Sequence, residues 1–397
     1  MTCPAKIRAV AAALAILALA AVPARALVTL NDGTDKIYVS GTWSMGYDTN
    51  ISASSDNTSD TTTSASASIE YQRRAGMIGV NANINFTLNR FLRNTTYDNL
   101  DPAYSLEFDK STGRTTGTLN LNAVRSSQTD AAVNLYTTSW NYNASLNLHY
   151  PVIDRYSLAG TLSYGLLDYT KTSGQPLVNL STYSSSLSLF YILSEQRDLF
   201  ASYNYSYQES SSSTSTTDDG LNLGVHGKVF WEINGSLSVG YMIRDPHGIV
   251  AADIAAAAVA PEGSITDLTA SASLNWNFNR KLAFTGSLSK SLSTTATDAT
   301  TDTLAASLDA TYSINARLSA ATGIGGGENR FFGPGGLLTG TDVERRDYYF
   351  TWNANVSYTF SERLHASLSY AYFKNWSNLG FATFVRNSLT LTLSSRW

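Results

Sequence analysis

Residues 77–89 read MIGVNANINFTLN. Ile78, Val80, Ala82, Ile84, Phe86 and Leu88 alternate with Gly79, Asn81, Asn83, Asn85, Thr87 and Asn89. A period of two places every apolar chain on one face of a β-strand and every polar one on the other. The same alternation returns at 140–150, 268–278 and 348–360, and in the last segment through Val385, Leu389, Leu391, Leu393 and Trp397. In all, the pattern predicts about eighteen strands: 36–48, 63–73, 77–90, 102–110, 114–125, 136–150, 156–169, 180–193, 198–209, 218–231, 236–245, 265–279, 281–293, 303–315, 317–326, 346–361, 363–374 and 383–397. The alternation is weakest in 102–110 and 114–125, and without that hairpin sixteen strands remain.

The connections alternate as well. Short turns fall at Arg73–Gly76, Pro151–Arg155, Ser194–Asp198, Ile233–Gly235, Asn279–Lys281, Asn315–Arg317 and Ser361–Arg363. Between them lie longer Ser/Thr/Asp/Asn-rich stretches such as Asn50–Thr62 and Gln208–Asp219. Short turns at one end and long polar loops at the other are the layout of a transmembrane barrel.

Of the 397 residues, only 15% are charged, while 43% are hydrophobic and 11% aromatic. This is the reverse of a disordered composition. The formal charge of −4 argues against a nucleic-acid footprint. The first residues act as an address: Lys6 and Arg8, an apolar run over 9–22, Pro23, then Ala24-Arg25-Ala26. Together they read as a secretory signal peptide cut after Ala26. Its removal takes away the single Cys and three positive charges, so the formal charge moves from −4 to −7. Residues 27–35 then form a short N-terminal segment and 36–397 the barrel. No later apolar run is long enough to span a bilayer as a helix, and only helices and closed barrels satisfy their backbone in lipid.

Charge decides which face meets what. No Asp, Glu, Lys or Arg stands on the apolar face in the middle of a predicted strand. A Lys or Arg there costs about 2–4 kcal/mol in a bilayer, whereas the outside of a soluble sheet would accept one. Aromatic residues such as Trp43, Tyr47, Tyr71, Tyr150, Tyr207, Trp231, Trp276, Tyr358, Tyr372 and Trp397 gather near strand ends on that face, as an interfacial girdle would. The expected fold is therefore an all-β, antiparallel, up-and-down transmembrane β-barrel.

The final strand, Leu389-Thr-Leu391-Thr-Leu393-Ser-Ser-Arg-Trp397, resembles the C-terminal assembly signal of bacterial outer-membrane proteins, with Trp397 where Phe is usual. With the signal peptide and the strand pattern, the whole chain resembles a Gram-negative, porin-like outer-membrane barrel. In its Tyr/Ser/Asn-rich strands and its Arg-Leu turns it is similar to the β-barrel porins of bacterial exopolysaccharide loci. The resemblance implies an outer-membrane location. It also implies outer-membrane lipid and the barrel-assembly machinery as partners, with Trp397 as the residue that machinery reads. A homo-oligomer is compatible with it.

If the apolar face meets lipid, Ser, Thr and Asn line the lumen, among them Asn204, Ser271, Ser273, Asn275, Thr285, Ser287, Thr351 and Asn353. Barrels of sixteen to eighteen strands enclose an aqueous channel unless plugged. Four charges fall on the lumen side: Glu70, Lys228, Asp309 and Arg386. They read either as a constriction cluster or as charges scattered around the wall. Two loops stand apart. Residues 244–267 contain an Ala-rich run that would form either a short helix in the pore or an outer cap. Residues 325–347 are Gly-rich, with Phe331, Phe332, Arg330, Arg345 and Arg346, and form a surface loop or a flap over the solute.

Catalytic patterns were not found. His149, His226, His247 and His365 lack metal-ligand spacing, and no zincin, nucleophile-elbow or phosphate-loop motif is present. The sequence predicts no enzyme, metal site, cofactor or nucleic-acid partner. It predicts a passive channel for small polar solutes, saccharides among them. The competing expectation is an accessory barrel, either for exopolysaccharide export or as a sheath around a periplasmic partner such as a multihaem cytochrome.

Overall fold

The computed structural model describes residues 27–130, 134–170, 177–212, 214–247, 263–332 and 344–397. The proposed signal peptide lies outside them. A short strand, β1 (Val28–Leu30), is followed by eighteen long ones. These are β2 (Asp35–Asp48), β3 (Asp60–Arg73), β4 (Gly79–Phe91), β5 (Asn99–Lys110), β6 (Thr116–Asp130), β7 (Leu135–Ile153), β8 (Tyr156–Tyr169), β9 (Leu180–Ser194) and β10 (Arg197–Ser210). After them come β11 (Ser215–Phe230), β12 (Ile233–His247), β13 (Ile265–Asn277), β14 (Leu282–Thr294), β15 (Thr300–Ser313), β16 (Leu318–Phe332), β17 (Arg345–Thr359), β18 (Leu364–Ser377) and β19 (Phe384–Arg396). Each pairs antiparallel with its sequence neighbour, and β19 pairs with β2 from Ser388↔Asp48 to Arg396↔Ser40, which closes the ring. The count is eighteen, and the weakly patterned hairpin exists as β5–β6. β1 lies outside the ring, paired on β2.

Alternation sorts the side chains. Ile84, Phe86 and Leu88 of β4 are exposed, and so are Leu221 and Leu223 of β11, Val239 and Tyr241 of β12, and Leu389 and Leu391 of β19. Register carries this face around the wall, as in the row Leu221↔Tyr241↔Leu268. At the loop end, connecting segments lie against the opposite, polar face and bury it: Asn50, Asp218, Arg244, Arg345, Asp347 and Asn375 are all below a tenth exposed. A face covered by folded-in loops is the bore of a closed barrel, so the apolar face looks outward. On β17 the outward chains run from Tyr358 to Tyr348 before Arg346. Ten residues at ~3.3 Å, tilted by ~40°, give an apolar band of ~25 Å, the height of a bilayer-spanning barrel.

Several predicted limits need correction. Gln208–Asp219 is not a long loop, because β10 and β11 run to Ser210 and from Ser215. Ser and Thr end a strand on sequence grounds but are no obstacle to ladder pairing above the lipid. Likewise Gly325–Phe332 belongs to β16, and the β11–β12 turn is Trp231–Glu232 rather than Ile233–Gly235. Trp231 is 92% exposed in that turn and is not on a strand face. Of the 244–267 and 325–347 loops, 248–262 and 333–343 lie outside the described residues.

Candidate functional site: the bore and its mouth

The bore wall is a lattice of neutral hydrogen-bonding groups. Cross-strand rows bring hydroxyls and amides together: Ser40–Ser68 (2.6 Å), Ser163–Ser184 (2.5 Å), Thr161–Asn147 (2.9 Å), Ser287–Ser307 (2.7 Å) and Ser319–Ser357 (3.0 Å). Ser271, Ser273 and Asn275 of β13 and Thr285, Ser287 and Ser289 of β14 point inward yet are exposed, so nothing among the described residues covers this part of the bore. Such a wall satisfies its own hydrogen bonds and still offers lone pairs and donors to a passing polar solute.

Two hairpins leave the wall near the mouth. β5 and β6 pair only as far as Ala103↔Val124. The next residue, Pro102, has no N–H to give, which ends the ladder there. Above that point Asp101 accepts bonds from the Ser127 amide (3.2 Å) and hydroxyl (2.8 Å), and Arg125 donates to the Leu100 carbonyl (2.7 Å). The freed β6–β7 tip packs inward: Tyr136 sits 4.5 Å from Tyr97 and 6.4 Å from Phe91 between ring centroids. β13 and β14 part above Ala270↔Lys290. There Lys290 bridges Asp267 and Asp302.

The β14–β15 tip reaches across to two other loops. The Val178 amide donates to the Ala296 carbonyl (2.9 Å), and the Ser212 and Thr214 hydroxyls both donate to Asp298 Oδ2 (2.6 Å each). Leu180, Leu292, Ala296 and Ala299 are buried beneath. A second lid is the β2–β3 loop. Asn50 is fully buried, and its amide side chain donates to the Ser54 carbonyl (2.8 Å), Asn57 (3.0 Å) and the Val385 carbonyl (3.3 Å). The loop accepts bonds from Thr129 at the Ile51 carbonyl and from Asn134 at the Ala53 carbonyl. Both lids fold over the mouth, a role that the sequence raised for residues 244–267 and 325–347 but not for these two loops.

The four predicted lumen charges all take inward register but lie at different heights. Glu70 is near the turn end, ion-paired to Arg396 (2.8 Å). Lys228 is also near the turn end, opposite Asn234. Asp309 lies between Thr285 and Gly323. A Cβ at Gly323 would fall 1.9 Å from Asp309 Oδ1, so glycine makes the room that this carboxylate occupies. Arg386 is at the loop end and holds Asp48 (2.7 Å), whose other oxygen accepts the Asn50 amide (2.8 Å). The geometry therefore spreads them instead of gathering a constriction cluster.

Sequence reasoning missed an inward aromatic run. Tyr349 and Phe373 stack at 6.0 Å and 13°, and Phe373 and Phe384 at 5.4 Å and 23°. Tyr349 lies over Gly327, where a Cβ would meet its hydroxyl at 2.7 Å. Arg345 covers Phe331 (4.5 Å) and pairs with Asp347 (2.6 Å) above the run, both nearly fully buried. The available signal was the break in alternation at Tyr348-Tyr349-Phe350 and Tyr372-Phe373. Among the described residues no group of three or more His, Cys, Asp or Glu could hold a metal ion.

Residues 231–396 match the sequence profile of a family described as "Putative beta-barrel porin 2". No curated protein matches the chain. Its fold is similar to that of OccK2 (OpdF) of Pseudomonas aeruginosa, with 10% identity, a TM-score of 0.50, and 91% of this chain and 97% of that one covered. Acinetobacter baumannii OccAB3 gives 10% identity, a TM-score of 0.47, and coverage of 91% and 99%. The iron transporter FrpB of Neisseria meningitidis gives 11%, 0.48, and coverage of 85% and 62%, so the chain spans less than two thirds of FrpB's length.

Proposed function

Taking the chain as a porin-like outer-membrane β-barrel, we propose that it is a passive diffusion pore for small, neutral, polar solutes, with saccharides as the class that the wall suits best. The observation that carries this is the water-exposed Ser/Thr/Asn lining on β13 and β14. Neutral hydroxyls and amides set a weak field, so selectivity among ions is modest. The same groups can exchange hydrogen bonds with sugar hydroxyls. The partly exposed Tyr349 and Phe373 rings, backed by the buried Phe384, add a flat apolar surface of the kind on which pyranose rings rest. Glu70, Lys228, Asp309 and Arg386 act as scattered wall charges that tune the field without forming a filter. Trp397 serves barrel assembly: its amide and carbonyl pair with Val39 (2.8 and 2.9 Å), and Arg363 stacks on its ring (4.3 Å).

Planar-bilayer recording with the purified barrel tests the pore, and liposome swelling with neutral sugars of rising size tests the solute class. Stable conductance steps and faster swelling with monosaccharides than with isotonic salts of small organic acids are expected. A folded, heat-modifiable barrel that stays electrically silent would refute the pore. Conductance with equal or slower sugar entry would leave the pore and remove the saccharide preference.

A further inference from the structure

The outward face at the loop end carries its charges unevenly. On β16–β18, register aligns three rows above the lipid-facing Ile324↔Trp352↔Tyr372 row. The first is Gly326↔Phe350↔Lys374, the second Glu328↔Tyr348↔Trp376, and the third Arg330↔Arg346. Lys374 Nζ lies 4.7 Å above the Trp376 ring, and the Arg346 guanidinium lies 5.5 Å from the Tyr348 ring. This places three cations within and just above the upper aromatic girdle, where an apolar band of ~25 Å gives way to head groups.

One acid balances them in part. Glu328 Oε1 accepts Nε of Arg330 (2.7 Å) and Nε of Arg346. That carboxylate is recessed at 18% exposed, while both guanidiniums stand at 45%. Both ion pairs are made through Nε, so the Nη atoms lie outside them. Asp302, opposite Arg330 in the ladder, is recessed at 14% and engaged by Lys290. The corresponding rim of β8–β12 is the reverse. There Asp168, Glu209, Asp219 and Asp245 face outward, and among the described residues no Lys or Arg does so at the loop end of that sector.

A pair of half-exposed guanidiniums, with Arg346 over the Tyr348 ring and, two rows below, Lys374 over the Trp376 ring, matches a phosphate monoester on an acyl-chain carrier. The Nη edges take phosphate oxygens in a bidentate fashion, Lys374 adds a point charge, and Trp376 and Tyr348 pack on the glycerol or sugar that joins phosphate to acyl chains. We propose that the outer face of β16–β18 is a binding site for the phosphorylated head group of an outer-leaflet lipid, with Arg330, Arg346 and Lys374 as its anion-binding residues. The acidic β8–β12 sector repels the same head group, so bound lipid sits at a fixed place on the barrel wall.

Native mass spectrometry of the full barrel, released from detergent with added lipid A, tests this. Lipid A carrying two phosphates is expected to be retained preferentially over the same lipid with its phosphates removed. Each cation near an anionic surface contributes about fivefold in affinity. The K374Q variant should therefore lose about fivefold, and R330Q/R346Q/K374Q well over tenfold. The control D219N/E209Q, which leaves Arg330, Arg346 and Lys374 in place, should bind at least as tightly as the parent does. Heat-dependent gel migration confirms that each variant is folded; should the triple variant fail, K374Q and the dephosphorylated lipid still decide the matter. Equal retention of both lipids by the parent, or unchanged binding by K374Q, overturns the proposal. Competition of lipid A by millimolar inorganic phosphate would show a free-phosphate site in place of a lipid one.

Discussion

Asp298→Ala is the most telling single change in the mouth. One carboxylate oxygen holds the hydroxyls of Ser212 and Thr214 at 2.6 Å each, tying the β14–β15 tip to the β10–β11 loop. A hydrogen bond to a charged group contributes about 1.5–3 kcal/mol. Both hydroxyls are only partly buried and regain water when the acceptor goes, so the two bonds together contribute about 2 kcal/mol of docking. That is a change of about thirtyfold in the docked-to-undocked ratio. The amide to follow is Val178, which donates to the Ala296 carbonyl across the same contact (2.9 Å). Its hydrogen exchange should speed up by roughly ten- to a hundredfold in the variant. Amides in the middle of β13 should exchange as before. In planar bilayers the variant should show larger and noisier conductance, because the tip no longer narrows the mouth. Exchange at Val178 within twofold of the parent, with conductance unchanged, would refute the reasoning.

Orientation is tested by Val239→Arg against Ser273→Arg. Val239 is 60% exposed at mid-height on the lipid face, and arginine there should cost about 2–4 kcal/mol of folding stability in vesicles, while the inward Ser273→Arg should cost under about 1 kcal/mol and shift ion selectivity instead. Arg244→Gln strips the partner from Asp218, which Arg244 grips at 2.7 Å through two nitrogens. With Arg244 at 2% and Asp218 at 9% exposed, a loss of about 3 kcal/mol is expected in thermal unfolding followed by gel shift. Asp98 gives a pH dependence. Burial raises its carboxyl, but the Phe91 amide and the Arg90 guanidinium outweigh that and hold it below the usual range. A depressed carboxyl contributes stability above its unfolded value and loses it as pH falls through the folded one, so pepsin should begin to cut residues 92–98 only as pH drops from about 5 toward 2. The D98N variant should be cut throughout that range. Trp397→Ser should lower the fraction of heat-modifiable barrel in cells, as read on unboiled gels.

Most of the wall was legible because one rule governs it. Where lipid lies on one side and water on the other, each strand must alternate, and even the weak 102–110 and 114–125 segments proved to be β5 and β6. The rule fails where those two solvents no longer compete. Above the lipid both faces of a strand meet polar surroundings, so Ser210 and Ser215 extend a hairpin that composition alone reads as loop. Inside the mouth, apolar chains can return to the polar parity, as Tyr349, Phe373 and Phe384 do. Leu292 makes the converse move: it holds outward parity yet is 8% exposed, because the β14–β15 tip has bent in. Placement of Glu70, Lys228, Asp309 and Arg386 on one side of the sheet was readable from parity, but their separation in height depends on register between strands far apart in sequence. The lid contacts between Asn50 and Val385, or Asp298 and Ser212, have no periodic signature at all.

Seventeen of the eighteen joints in the ring link strands that follow one another in the chain, and each can zip as a local hairpin. The eighteenth, β19 on β2, brings residues near 44 to residues near 392. Until that joint forms, the sheet is a ribbon with two raw edges and an oily side, and every intermediate length of it is sticky. Closure thus waits for almost the whole polypeptide to be on the far side of the inner membrane. Two variants that slow the last joint and a middle hairpin by equal amounts should differ sharply in aggregate yield, because only the first prolongs the time spent open.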